Sequence, residues 1–425
     1  MIKIYSYPED NISNIFTHNY LDRQDINFLV SAIIKDIKER GDTALFEYSE
    51  KFDGVTLNKE NIKVSKQELA NTASQVSPEL LQAMRKAAQN VYNYHIKQKS
   101  KDNLHFDNGI VIGTLVRPLK RAGIYVPGGS AAYPSSVLMT AMVAKAAGVQ
   151  EIIMCSPNLS NPLTLAAAQE CGVQNIFKVG GAQAIAAMAY GTASIPKVDI
   201  VAGPGNIYVT LAKKQLFGQV KIDMVAGPSE IAIIADEAAN AAFVAADMLG
   251  QAEHDTLSAA YLITNSKKLA DKVKIELISQ VEHLDRAAII NKSLQERSAI
   301  IIVKDMESAC KVANTIAPEH LEIICAQAEE LVADIHNAGA IFIGEYSPEA
   351  LGDYFAGPSH VLPTSGSARY FEVLNTDTFS KKISYIKYNK QEFNKVAADI
   401  YRLASAEGFG AHANSVKIRA PKEVE

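Results

Sequence analysis

From Gly109 the chain settles into a rhythm that few folds can accommodate: short runs rich in valine and isoleucine, each followed by glycine and then a helical pattern, repeat four times. Residues 123–126 lead through Pro127-Gly128-Gly129-Ser130 to a helix near 136–147, and 151–155 lead to a helix near 162–171. Residues 176–179 lead through Gly180-Gly181 to a helix over 182–190, and 198–202 lead through Gly203-Pro204-Gly205-Asn206 to a helix ending near Phe217. Neighbouring parallel strands need a crossover, usually a helix, so the alternation predicts a parallel sheet covered by helices on both faces. A discrete α/β domain is expected over 116–227. Glycine turns at the carboxyl ends of such strands let backbone approach a phosphate, and helix N-termini favour its charge. None of these turns carries a full G-x-G-x-x-G with an acid about 20 residues on, so spacing alone leaves ordinary tight turns equally open.

After Ser229-Glu230 the alternation resumes, with strands expected at 231–235, 259–264, 299–303, 321–325 and 340–343 and helices between them. A second parallel sheet follows. Helical stripes at Phe28, Leu29, Ile33, Ile34 and Ile37, and at Leu80, Leu81, Met84 and Val91, are read as its cover. The expected class is therefore α/β: two Rossmann-like parallel-sheet domains, one inserted in the other, plus a small C-terminal unit. Residues 21–115 and 228–366 form the first domain, 116–227 the inserted one, 367–425 the appended unit, and 1–20 a segment packing with the tail.

Charge narrows the partners. With 42 lysines and arginines against 47 acids there is no basic excess, so nucleic acid is not expected and a small soluble ligand is. The four cysteines, Cys155, Cys171, Cys310 and Cys325, show no C-x-x-C spacing, which fits a reducing cytoplasm. The first residues, MIKIYSYPED, lack the apolar core of a secretory signal, and no apolar stretch approaches the roughly 18 residues of a membrane span.

One stretch carries metal-ligand spacing. Gln251 and His254 stand three apart in a helical pattern, so an amide oxygen and an imidazole share a face, and Asp247 lies one turn earlier, placed to support His254. A catalytic zinc site takes about three protein ligands. Asp353, in the glycine-punctuated stretch from Gly352 to His360, and His412, after Glu407-Gly408-Phe409-Gly410-Ala411, would complete a mixed nitrogen and oxygen set. Pro318-Glu319-His320 sets a carboxylate beside an imidazole, so one can act on water and the other on a substrate proton; a solvated loop acid is the competing interpretation. Among the nine histidines, His18, His95, His105 and His283 lie in polar runs without partners, and His336 suits a helix C-terminus. Ser229 is in no G-x-S-x-G elbow.

Taken together, the stretches 121–130 (RAGIYVPGGS), 179–187 (VGGAQAIAA), 202–206 (AGPGN), 222–231 (IDMVAGPSEI), 247–254, 317–323 (APEHLEI), 337–364 and 407–416 closely resemble the histidinol dehydrogenase family, in its order and over nearly the whole chain. Ser359 stands where asparagine is expected, and Phe371-Glu372-Val373 replaces a run richer in serine and glycine. The resemblance implies zinc held by Gln251, His254, Asp353 and His412, the last from the other protomer of a homodimer. It implies NAD contacts at Tyr125, Gln183 and Asn206. Substrate contacts are implied at Ser229, Gln251, His254, His320, Asp353, Glu407 and His412, and an acid/base pair at Glu319 and His320. The C-terminal unit then serves dimerisation and the partner's site.

The implied reaction is oxidation of L-histidinol through L-histidinaldehyde to L-histidine, the last steps of histidine biosynthesis, with two NAD+ reduced in turn. A competing expectation from another class is a zinc-dependent hydrolase of a small amide, using Glu319 on water and treating the glycine turns as packing.

Overall fold

Branched apolar residues favour a pleated surface, and a strand buried on both faces reads as an unbroken apolar run. The computed structural model, which describes residues 2–16, 20–128, 132–157, 159 and 161–420, turns the runs into such strands. In chain order they are β1 (Lys3–Ser6), β2 (Asn103–Asp107), β3 (Ile110–Pro118), β4 (Arg121–Tyr125), β5 (Glu151–Cys155), β6 (Asn175–Phe177), β7 (Ile200–Ala202), β8 (Lys221–Ile222), β9 (Glu230–Ala235), β10 (Ala259–Thr264), β11 (Ala299–Ile302), β12 (His320–Ile324), β13 (Ala340–Ile343) and β14 (Ser380–Tyr388). Gly129, Ser130 and His18 lie outside the described residues.

Two compact units result. The first, Met1–Gln98 with Leu119–Phe379, contains both parallel sheets. One is five-stranded in the order β6-β5-β4-β7-β8, and the other six-stranded in the order β1-β11-β10-β9-β12-β13. The α/β class with two parallel sheets, one interrupting the other in sequence, is as expected. The second unit joins Lys99–Pro118 to the chain from Ser380 onward; there β14, β3 and β2 make an antiparallel sheet, followed by helices Lys390–Ala406 and Gly410–Lys417.

One expectation about packing differs from the structure. Residues 21–115 are expected to cover the second parallel sheet, yet Ile26, Val30, Ile33 and Ile37 of helix Gln24–Arg40 pack with Ile153, Ile185 and Leu211 around the five-stranded sheet, and Leu81, Met84 and Val91 of helix Pro78–Gln98 pack on its other side. An apolar stripe says that a helix face is buried, not against which sheet. In the N-terminal segment Lys3 pairs with Ala299 and Ser6 with Ile302, so β1, which the sequence did not announce, closes one edge of the six-stranded sheet. Four residues are too few to display a strand period.

Candidate active site

The six-stranded sheet collects acid, amide and imidazole groups at the amino ends of its central strands. His320 opens β12, opposite Ile231 of β9 and Ala340 of β13, and Glu319 immediately precedes it. The short passage into β12 is fixed by backbone: Ala317 takes a left-handed φ of 51°, and Gly339 is so close that a Cβ there would lie 2.5 Å from the Glu319 carbonyl oxygen. Glu319 is buried; its Oε2 accepts a hydrogen bond from the Glu230 amide at 3.2 Å, and its side chain also bonds Ser229.

Helix Ala241–Ala252 returns from the far end of β9 and brings Gln251, fully buried, to this edge. It ends two residues before His254, so the shared helical face is corrected to a terminal turn, in which the His254 amide still bonds the Gln251 carbonyl at 3.3 Å. Gln251 Oε1 lies 3.1 Å from His320 Nδ1. Helix Glu349–Tyr354 presents Glu349 and Asp353 one turn apart. Ligand atoms of His254, Glu349 and Asp353 fall within 4.8 Å of one another. His320 Nε2 and His360 Nδ1 are each 3.8 Å from Asp353 Oδ1.

Thus Ser229, Gln251, His254, Glu319, His320 and Asp353 come together, a set that spacing proposed in part and the family resemblance implied as a whole. Glu349, Glu322 and His360 were missed. Signals for two of them existed: Glu349 stands four before Asp353 on one helix face, and Glu322 stands two after His320 on the same face of β12. Asp247 is not the support of His254 that its position suggested; its side chain bonds Glu322, whose Oε1 accepts from the Glu349 amide at 2.8 Å. Glu407 caps the end of helix Lys390–Ala406 and His412 lies on helix Gly410–Lys417, both exposed in the second unit. Ser359, the departure from asparagine, is buried with its hydroxyl donating to the Met139 carbonyl at 2.9 Å.

The electrostatics have one sign. Burial, reinforced by Asp353, holds the Glu319 carboxyl well above its usual range; burial does the same for Glu349, with Asp353, Glu319 and Glu322 adding to it. Burial pushes Asp353 up to about 6, opposed by His254, and burial with Asp247 pushes Glu322 up to about 9. Burial drives His320 down to about 3 and His360 down to about 4. Among the described residues, Gln251 Nε2, His320 Nε2 and Glu349 Oε2 are buried without a hydrogen-bond partner. Crowded carboxyls, neutral imidazoles and orphaned polar atoms are what a divalent cation would satisfy, because its charge favours the ionised acids. A nitrogen and oxygen donor set of this kind fits zinc.

The five-stranded sheet places the turns at Gly180-Gly181 and Gly203–Asn206 at its carboxyl end, on either side of the point where strand order reverses between β4 and β7. Tyr125 ends β4, and its hydroxyl accepts from the Gly181 amide at 3.1 Å. Gln183 is buried in the first turn of helix Gly181–Tyr190 and donates to Asp53 at 3.3 Å. Asn206 is exposed; its Oδ1 caps helix Ile207–Leu216 through the amides of Tyr208 and Val209, at 3.1 and 3.2 Å. Only residues 223–229 separate β8 from β9. At no more than about 3.6 Å per residue, that linker bounds how far the end of β8 can lie from the start of β9.

A family model described as histidinol dehydrogenase matches residues 17–420. The chain is 49% identical over 427 residues to a histidinol dehydrogenase of Heliobacterium mobile, covering 99% of this chain and 100% of that one. It is 50% identical over 390 residues to that of Aquifex aeolicus, covering 92% and 91%. A crystal structure of histidinol dehydrogenase from Elizabethkingia anophelis superposes with a TM-score of 0.93 at 37% identity, covering 98% of each chain.

Proposed function

Because this chain belongs to the histidinol dehydrogenase family, we propose that it oxidises L-histidinol through L-histidinaldehyde to L-histidine, in the last steps of histidine biosynthesis, using NAD+ and a bound zinc ion. The observation that carries this reading is the cluster in which buried Gln251, Glu319 and His320 meet part-buried Asp353 and exposed His254 at the amino ends of one parallel sheet, with a second parallel sheet in the same unit carrying glycine turns at its carboxyl end. Free cysteines, all four of them, support a cytoplasmic setting.

Gln251, His254 and Asp353 would hold zinc, with His412 of a second copy as the fourth ligand. Zinc when bound supplies a fixed positive charge that orients the substrate's imidazole and amine. Tyr125, Gln183 and Asn206 would contact NAD+, the acceptor of each hydride. His320 is neutral at pH 7 and its unpartnered Nε2 can take the alcohol proton during the first oxidation. Glu319, steadied by the Glu230 amide and Ser229, can take a proton from the water that attacks the aldehyde. Ser229 and Glu407 would bind substrate. Burial of Glu319 and His320 excludes bulk water from both steps. The test is NADH absorbance with L-histidinol: a rise supports the reading, whereas turnover of a small amide without NAD+ would favour the hydrolase.

A shared site in a homodimer is supported by the second unit, where Ile386, Leu403, Phe409 and Ile418 are each more than half exposed, at 75%, 67%, 55% and 71%. His254→Asn and His412→Asn are each expected to be nearly inactive alone. Refolding the two variants together is expected to restore up to about a quarter of the activity, by random pairing of subunits that regenerates one intact site in half of the dimers. A mixture that forms dimers yet stays inactive contradicts sharing.

A further inference from the structure

The turn Gly203–Asn206 is held by a charge pair that takes no part in the reaction just described. Lys213, on helix Ile207–Leu216, and Asp223, just after β8, form an ion pair with side chains 3% and 0% exposed. Both partners also grip one residue. Lys213 Nζ donates to the Gly203 carbonyl at 3.0 Å, and Asp223 Oδ2 accepts from the Gly203 amide at 2.8 Å, while Oδ1 accepts from the Met224 amide at 2.7 Å. Gly203 needs such holding: its φ is +120°, and a Cβ there would sit 2.2 Å from the Tyr125 carbonyl oxygen. Both backbone polar groups of Gly203 are thus satisfied by one buried pair, at the point where strand order reverses and one residue before the Pro204-Gly205-Asn206 corner.

A buried ion pair is a weak device for stability, since desolvating two charges offsets most of their attraction and a well-packed apolar pair does as well. What an apolar pair cannot do is donate to one peptide oxygen and accept from the same residue's amide. We infer that Lys213 and Asp223 are positioning residues for the coenzyme, clamping Gly203 so that the turn carrying Asn206 is preformed at the carboxyl end of β7. The inference rests on the proposed NAD reading. Losing the clamp lets the turn sample other conformers, and the population competent to bind falls with it.

The test compares wild type, Lys213→Met and Lys213→Met/Asp223→Asn as full-length, zinc-loaded protein. Lys213→Met leaves a lone buried carboxylate and lowers the unfolding temperature; the double variant removes that charge and recovers it, but the Gly203 carbonyl remains unpaired in both. NADH affinity is read from nicotinamide fluorescence, excited at wavelengths where protein side chains do not absorb. Both variants are expected to weaken NADH binding and raise KM for NAD+ about tenfold, the effect of one lost buried hydrogen-bond partner. KM for L-histidinol and zinc content should stay at wild-type values. If coenzyme affinity recovers together with the unfolding temperature in the double variant, the pair is merely structural and the inference is overturned; unchanged affinity in the double variant overturns it even if Lys213→Met fails to fold. Wild type that binds no NADH would bring down the coenzyme reading itself, so the two failures are distinguishable.

Discussion

Replacing His254 with asparagine is expected to weaken zinc binding by more than 100-fold and to reduce histidinol oxidation to near background, while the fold survives. Loss of an outer hydrogen-bond partner of a ligand typically costs about 10–100-fold, and a direct ligand contributes more. His254 is exposed and follows the end of helix Ala241–Ala252, so its removal leaves no cavity and the unfolding temperature of metal-free protein should hardly change. Zinc affinity of the wild-type protein should weaken as pH falls below about 6, because Asp353, raised there by burial in the metal-free site, must give up its proton to hold a cation. Titration with a chelator at several pH values checks both points. Undiminished affinity in His254→Asn would remove this residue from the donor set.

Glu319→Gln is expected to separate the two oxidations. The amide keeps the shape of the carboxyl but cannot take a proton from water, so the second oxidation should slow by about 10²–10⁴-fold, the usual contribution of a positioned base. The first should persist through His320, giving one NADH per active site and bound aldehyde that a carbonyl trap can capture. His320→Asn should instead slow the first step. Equal loss of both steps in Glu319→Gln would show that the carboxylate acts elsewhere in the cycle.

How much of this was legible beforehand follows from what spacing can encode. Alternating apolar runs and glycine turns made the two parallel sheets readable, because each strand reports its own burial. Gln251, His254 and Asp353 were readable as candidates because glycine, acid, amide and imidazole are poor choices for plain scaffold. The partner of an amphipathic stripe was not, so helix Gln24–Arg40 was placed on the wrong sheet. Nor was the carboxyl chain behind the site: Asp247, Glu322 and Glu349 approach one another only when helix Ala241–Ala252, β12 and helix Glu349–Tyr354 are packed together. Long-range proximity is a property of the fold, and one sequence records it only through the rare i and i+4 pair such as Glu349 and Asp353.

The glycine turns show the complementary case. Their spacing fitted no complete dinucleotide fingerprint, and what supports the proposal that they do more than pack is three-dimensional: position at the reversal of strand order, the tight approach of Gly203 to Tyr125, and a buried ion pair holding that glycine at both ends.

The most direct test of the central claim is the yield of NADH from a limiting amount of L-histidinol, with the product identified by mass spectrometry. Two NADH per histidinol, with L-histidine as product and no turnover without NAD+, is the result predicted. One NADH per histidinol with free aldehyde as the end product, or no NADH from zinc-loaded dimer, would contradict it.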